Sequence, residues 1–220
     1  MRAIVLATQK GGSGKSTLAI GLAVAAMEAE HRVALIETDP QGTVTSWGAR
    51  RSLGEPRIER ASTSADIARA LLTLQRNGFT LAIIDTPATA NDLSANAIAA
   101  ADYCLIPARP SPADIEAALP TLRTVRKLGK PFAFVLNQTP SRSYRIAEAA
   151  LALNAAGTLA LPYIVQRNDH QDALGSGFGV TEFASDGKAA QEIRELWRWV
   201  AQAAIAETND RRRAPIRAIG

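Results

Sequence analysis

Short apolar runs alternate along the chain with longer stretches in which apolar residues return every three or four positions. "AIVLAT" (Ala3–Thr8), "VALIET" (Val33–Thr38), "LAIIDTP" (Leu81–Pro87), "YCLIPA" (Tyr103–Ala108) and "PFAFVLN" (Pro131–Asn137) are apolar almost throughout. Runs of this kind predict strands buried on both faces, the habit of parallel sheets. "RIERAS" is a weaker strand candidate, and "TLALPYI" is predicted as the last strand. Helical spacing predicts helices over Lys15–Ala29, Ser64–Arg76, Ala95–Ala101, Ser111–Leu128, Tyr144–Asn154 and Ala184–Ala206. In the last of these, Ile193, Leu196, Trp197, Val200 and Ile205 share the inner face. Pro120 is expected to kink its helix or move the helix start. "DPQGTVTSWG" reads as a polar, turn-rich connection.

Strand–helix alternation implies an α/β fold, a mostly parallel twisted sheet with helices on both faces. No internal repeat or linker interrupts it, so residues 1–206 are expected to form one domain and 207–220 a basic, flexible tail. In open sheets of this class, ligands bind beyond the carboxyl ends of the strands. The polar signatures fall there.

Composition narrows the field. At 220 residues and 47% hydrophobic, the chain can bury a sizeable core. No segment is long and apolar enough to cross a bilayer, and Met1 leads straight into a strand pattern, so no leader is expected. Cys104 is the only cysteine, which excludes an internal disulfide and any cluster held by a cysteine pair, and fits a reducing cytosol. The net charge of +4 permits contact with nucleic acid or an anionic membrane and requires neither.

The chemistry begins at "ATQKGGSGKST" (Ala7–Thr17), placed after a strand and before a helix. Such a loop turns successive backbone N–H groups inward around an anion at a helix start. Gly11, Gly12, Ser13 and Gly14 supply the bend. Lys15 can reach β- and γ-phosphates, the Ser16 hydroxyl can bind Mg²⁺, and Thr17 completes the pattern. The chain is therefore predicted to be a P-loop NTPase. Lys10 is extra. It is either a solvated loop lysine or a cation that meets charge developing on a nucleotide, more readily one held by a facing subunit than its own. Asp85 ends a buried strand, where a carboxylate can fix magnesium through bound water. Asp39, in "ETDPQG", is either a turn former or a carboxylate that orients an attacking water, itself close enough to the metal to share a water ligand.

The stretch "KGGSGKST", with Gln9 where a phosphate loop normally opens on glycine, resembles the deviant Walker A motif of the ParA/MinD family of ATPases. The resemblance implies that Lys10 is the signature lysine that crosses a nucleotide-sandwich homodimer. It implies that Asp85 is the Walker B carboxylate, and that Asp39 is the first-switch aspartate. The family usually carries Asp two residues before it, where this chain has Glu37, so a role for Glu37 is open. "LNQTP" lacks the acid that reads guanine in GTP-specific relatives, which favours ATP. By resemblance Asn137 contacts the base, and the loop "LPYIVQRND" flanks it, with Pro162 and Tyr163 as candidate contacts.

The tail, broken by Pro215, makes a poor membrane face, unlike that of the MinD branch. The lone cysteine and scattered tyrosines set aside the iron-protein and tyrosine-kinase branches. What remains resembles the small plasmid-type, ParF-like branch over nearly the whole chain. It implies a cytoplasmic, nucleoid-associated ATPase that pairs on binding ATP and Mg²⁺, binds DNA without sequence preference, and is released when a ParB-type partner stimulates hydrolysis. The core begins at residue 2, so no DNA-reading extension is expected. A positioner of protein cargo, or a MinD-like membrane-cycling regulator, is the alternative. Candidate DNA contacts are Arg194, Arg198, Arg211, Arg212 and Arg213, with Arg123, Arg126, Lys127 and Lys130 as a second group.

Overall fold

A computed structural model describes the backbone of residues 1–89 and 91–213, with side chains through residue 204. The strands are β1 (Arg2–Leu6), β2 (Val33–Glu37), β3 (Arg57–Arg60), β4 (Leu81–Asp85), β5 (Tyr103–Ala108) and β6 (Phe132–Leu136). They form one six-stranded sheet in the order β3-β2-β4-β1-β5-β6. Every neighbouring pair is parallel.

Alternate strand residues feed two cores, as the period of a strand requires. Ile4, Leu6, Val33, Leu35, Ile83 and Leu105 pack beneath α1 (Lys15–Glu28) and α9 (Lys188–Arg213). Ala3, Val5, Ile36, Ile84 and Ile106 face α3 (Ser64–Arg76), α4 (Asp92–Ala100), α5 (Pro112–Lys127) and α6 (Tyr144–Ala156). The sheet is therefore covered on both faces.

Several expectations change. "DPQGTVTSWG" contains a helix, α2 (Thr43–Arg50). Its local sequence is poor in helix formers, but Val44 and Trp47 are fully buried, and the Trp47 indole donates to the Phe178 carbonyl at 3.1 Å. Tertiary packing overrides propensity there. "TLALPYI" is not a strand. Phe134 N–H donates to Thr158, and Ala160 N–H donates to the Phe134 carbonyl. The next donor the ladder needs falls at Pro162, which has no N–H, so Ile164 serves the Leu136 carbonyl instead.

Pro120 neither breaks α5 nor moves its start inward, since Ser111 caps the helix and its hydroxyl accepts from Asp114 N–H at 3.2 Å. The α4 helix begins at Asp92 because Asn91 accepts from Ser94 N–H at 2.8 Å. Two further helices, α7 (Asn168–Gly175) and α8 (Val180–Phe183), precede α9, whose start is Lys188 and not Ala184. The side chains of Ile205, Arg211, Arg212 and Arg213, and the whole of residues 214–220, lie outside the described residues.

Candidate functional site

The carboxyl ends of β1, β2, β4 and β6 converge on one edge of the sheet. The register sets Asp85 level with Leu6 on one side and Glu37 on the other. The phosphate loop leaves β1 at this level and enters α1 at Lys15. Gly14 has a φ of 85°, and a Cβ there would sit 2.3 Å from Asn137 Nδ2. Only glycine fits both the backbone conformation and the approach. Asn137 is buried at the end of β6 and donates from Nδ2 to the Ser13 carbonyl at 2.8 Å, while Gln138 Nε2 donates to the Gly12 carbonyl at 3.0 Å. Two neighbouring amides thus tie the loop from outside through its carbonyls.

Lys15 is buried, and its ammonium donates to the Lys10 carbonyl at 3.3 Å. Burial lowers its pKa, against the pull of Asp85 and Asp39, whose charges favour the ammonium form. Lys10 is only partly covered, and its ammonium has no ion-pair partner among the described residues. Asp85 has no exposed surface. Its Oδ2 accepts from the Ser16 hydroxyl at 2.6 Å, while its Oδ1 is buried with no partner among the described residues. Burial pushes its carboxyl up to about 7, with Asp39 and Glu37 adding to the rise and the Ser16 bond and Lys15 opposing it. Ser13 Oγ in the loop and Thr8 Oγ1 beside it are likewise buried and without partners among the described residues.

An orphaned carboxylate oxygen beside a serine hydroxyl suits a hard divalent cation. Among the described residues no group of three or more His, Cys, Asp or Glu can hold a metal. A cation bound here would also need ligands from outside the protein. Ser16 and Asp85 are the residues that fit it.

Asp39 follows β2 and is partly exposed. Its Oδ1 accepts from Gln41 N–H at 2.9 Å, and its carbonyl accepts from Gly42 N–H at 3.1 Å. Thr38 donates both its N–H, at 3.0 Å, and its hydroxyl, at 2.9 Å, to the Asp85 carbonyl. Glu37 turns away from the loop: it accepts from Val44 N–H at 2.7 Å and Thr45 N–H at 3.1 Å, and from the Thr45 hydroxyl.

On the far side of the loop a cleft of about 100 Å³ is lined by Thr17, Leu18, Asn137, Gln138 and residues 164–167, with His170 and Gln171. His170 Nε2 and Arg167 Nε are buried there without partners among the described residues. Burial lowers the His170 pKa, against the opposing charges of Glu192 and Asp169. Pro162 and Tyr163 do not line this cleft. They face a separate groove with Glu195, Arg198, Trp199 and Gln202, so the residues of "LPYIVQRND" beside the loop are Ile164 to Arg167.

The basic candidates divide as well. Arg194 is bonded inward, to Glu28 at 2.6 Å and to Ser185 and Thr181. Arg198 is exposed and 3.9 Å from Glu195. Arg126 donates to the Ala156 carbonyl and Lys130 to the Ala101 carbonyl, while Arg123 and Lys127 are exposed on α5. Sequence reasoning did not single out Gln138 or His170, and reached Arg167 only as a member of "LPYIVQRND". The only signal for Gln138 was its place after Asn137; His170 left none.

Residues 4–178 match the family model described as the CobQ/CobB/MinD/ParA nucleotide binding domain. The "Maintenance of carboxysome distribution protein A" of Gloeobacter kilaueensis is 31% identical over 206 residues, covering 91% of this chain and 93% of that protein. The "Chromosome-partitioning ATPase Soj" of Thermus thermophilus is 28% identical, covering 58% and 63%. Among solved structures, a cobyrinic acid a,c-diamide synthase from Mycobacterium smegmatis, with bound ATP analog and magnesium, superposes with a TM-score of 0.75 at 19% identity, covering 92% of this chain and 94% of that one. The Aquifex aeolicus MinC:MinD cell division complex gives 0.78 at 16%, covering 92% and 96%. With the family matched over most of the chain and the loop built as the family's motif requires, the protein belongs to the CobQ/CobB/MinD/ParA nucleotide-binding family.

Proposed function

We propose that this chain is a magnesium-dependent ATPase of the ParA type, acting in DNA partition. One observation carries the reading. Two lysines share a phosphate loop, Lys15 buried and turned inward, Lys10 on the rim with an ammonium free of any acid among the described residues. A single-site hydrolase needs only the first.

In this reading the N–H groups of residues 11–16 and the Lys15 ammonium receive the β- and γ-phosphates. Ser16 holds the metal directly and Asp85 holds it through water. A bound magnesium would neutralise charge developing on the phosphates. Asp39 orients the attacking water. Asn137 and the cleft along Ile164–Arg167 take the adenine. Lys10 reaches the phosphates of a second copy in a face-to-face homodimer. That dimer binds DNA non-specifically through exposed cations such as Arg198, Arg123 and Lys127, and a ParB-type partner stimulates its hydrolysis and release. Its place is the cytoplasm, on the nucleoid, without stable membrane association. Likeness to a carboxysome distribution protein over nearly the full length of both chains supports a second reading, in which the cargo is a protein assembly.

Lys10→Ala tests the shared site. ATP binding should stay within about threefold of wild type, while turnover falls by about 10² or more, as when a charge-stabilising finger is lost. Co-sedimentation with DNA should need ATP, not ADP, and weaken steeply with salt. Wild-type turnover in Lys10→Ala would reject the role of this lysine. Stimulation by a ParB-type protein loaded on DNA, and not by a protein assembly, supports DNA as the cargo.

A further inference from the structure

Glu37 is 1% exposed, and both its oxygens are spent on the start of α2. That helix has no side-chain cap of its own, because its N-cap is Gly42. Val44 and Thr45 therefore leave two orphan N–H groups, and a carboxylate at a helix N-terminus is the strongest acceptor for them. The donors lie seven and eight residues ahead in sequence, and a glutamate, one methylene longer than aspartate, spans to them from the end of β2. The segment between is anchored at its other end too, by the two Thr38 bonds to the Asp85 carbonyl. Asp39 sits inside this closed loop, with its own carboxylate and carbonyl bonded across the turn.

We propose that Glu37 is a positioning residue: its buried carboxylate clamps the start of α2 and so holds Asp39 in place over the phosphate loop. The inference rests on the reading of Asp39 as the residue that orients the attacking water. It gives Glu37 a task separate from metal or nucleotide contact, since both its oxygens are bonded to α2. A shift of Asp39 by about 1 Å is enough to cost on the order of 10² in rate where catalysis is mostly positioning.

The test is Glu37→Gln, which keeps one acceptor oxygen and turns an NH₂ toward a donor. Backbone amide exchange in residues 39–46 should quicken by about tenfold or more in the nucleotide-free protein, while α1 and β1 exchange as in wild type. ATP affinity should stay within about twofold, and turnover should fall by about tenfold or more. In an Asp39→Ala background the same change should cost no further turnover, because the two residues act as one unit. Unchanged exchange, unchanged turnover, or an equal loss in the Asp39→Ala background would each overturn the proposal. If Asp39→Ala itself turns over like wild type, the reading of Asp39 fails, which is a separate result. Should Glu37→Gln not fold, Thr45→Val removes one donor from the clamp, and faster exchange over 39–46 with slower turnover is again expected; no change in either would overturn the proposal.

Discussion

Glu37 and Asp85 are register partners at the ends of adjacent strands, and neither is more than 1% exposed. Their surroundings differ in one respect. Glu37 has each oxygen matched to a donor on α2. Asp85 has one oxygen on Ser16 and the other on nothing among the described residues. A buried acceptor left unpaired costs about 1–3 kcal/mol, and more when charged. A fold bears that cost where a ligand later supplies the missing partner. On the reading proposed above, the satisfied carboxylate is an anchor and the unsatisfied one a binding group, though sequence alone presents both as acids at strand ends.

Lys15→Ala should break this contrast most completely. The lysine is buried beside Asp85, and on the proposed reading it also faces the phosphates. Its removal leaves Asp85 without its nearest counter-charge and the loop without its inward cation. We expect nucleotide affinity to fall by about 10³ or more, on the order of 4 kcal/mol, as for the loss of a buried charge-assisted contact. ATP-dependent pairing should vanish with it. Calorimetric titration with ATP and Mg²⁺ and light scattering with and without nucleotide would check both. A dimer unaffected by the substitution would undo the assignment of the loop.

Much of this site was legible because its parts are contiguous. The loop from Lys10 to Thr17 is one string, and the strand that delivers Asp85 is an unbroken apolar run. What escaped is what depends on distant partners. α2 looks like a turn because its cap comes from Glu37 and the acceptor for its Trp47 from Phe178, neither of them local. Pro162 and Tyr163 lie in the segment expected to flank the base, but the chain changes course where Pro162 cannot donate, which leaves Ile164 to Arg167 facing the cleft. Arg194 looked like a free cation until Glu28, Ser185 and Thr181 were found around it. Periodicity reads burial well; it does not read which buried acid finds donors.

Asp85→Asn sharpens the contrast through pH. In the metal-free protein the Asp85 carboxyl is raised to about 7, so the native state keeps a proton that the unfolded chain has lost. A raised pKa adds stability that is full below the ordinary carboxylate range and is lost as pH rises to about 7. Wild type in a chelator should therefore lose up to roughly 3–4 kcal/mol between about pH 4 and 8, at 1.36 kcal/mol per unit. Asp85→Asn should lack that slope and be the more stable protein at pH 8, while Mg²⁺ no longer tightens nucleotide binding. Urea unfolding at a series of pH values would show it. Identical slopes in the two proteins would mean that Asp85 is not held protonated by its burial.

The smallest effect should come from the bond that joins the two strand ends. The Thr38 hydroxyl donates to the Asp85 carbonyl, and so does the Thr38 N–H. Thr38→Val keeps the shape and the backbone bond and deletes one neutral hydrogen bond in a buried place. Its cost should be about 1 kcal/mol, read as a lower urea midpoint with an unchanged slope. Turnover should fall far less than in Glu37→Gln, because the carbonyl remains satisfied and the clamp on α2 is intact. A turnover loss as large as that of Glu37→Gln would mean that Asp39 is held mainly from the Asp85 side. The satisfied carboxylate would then be a helix anchor and nothing more.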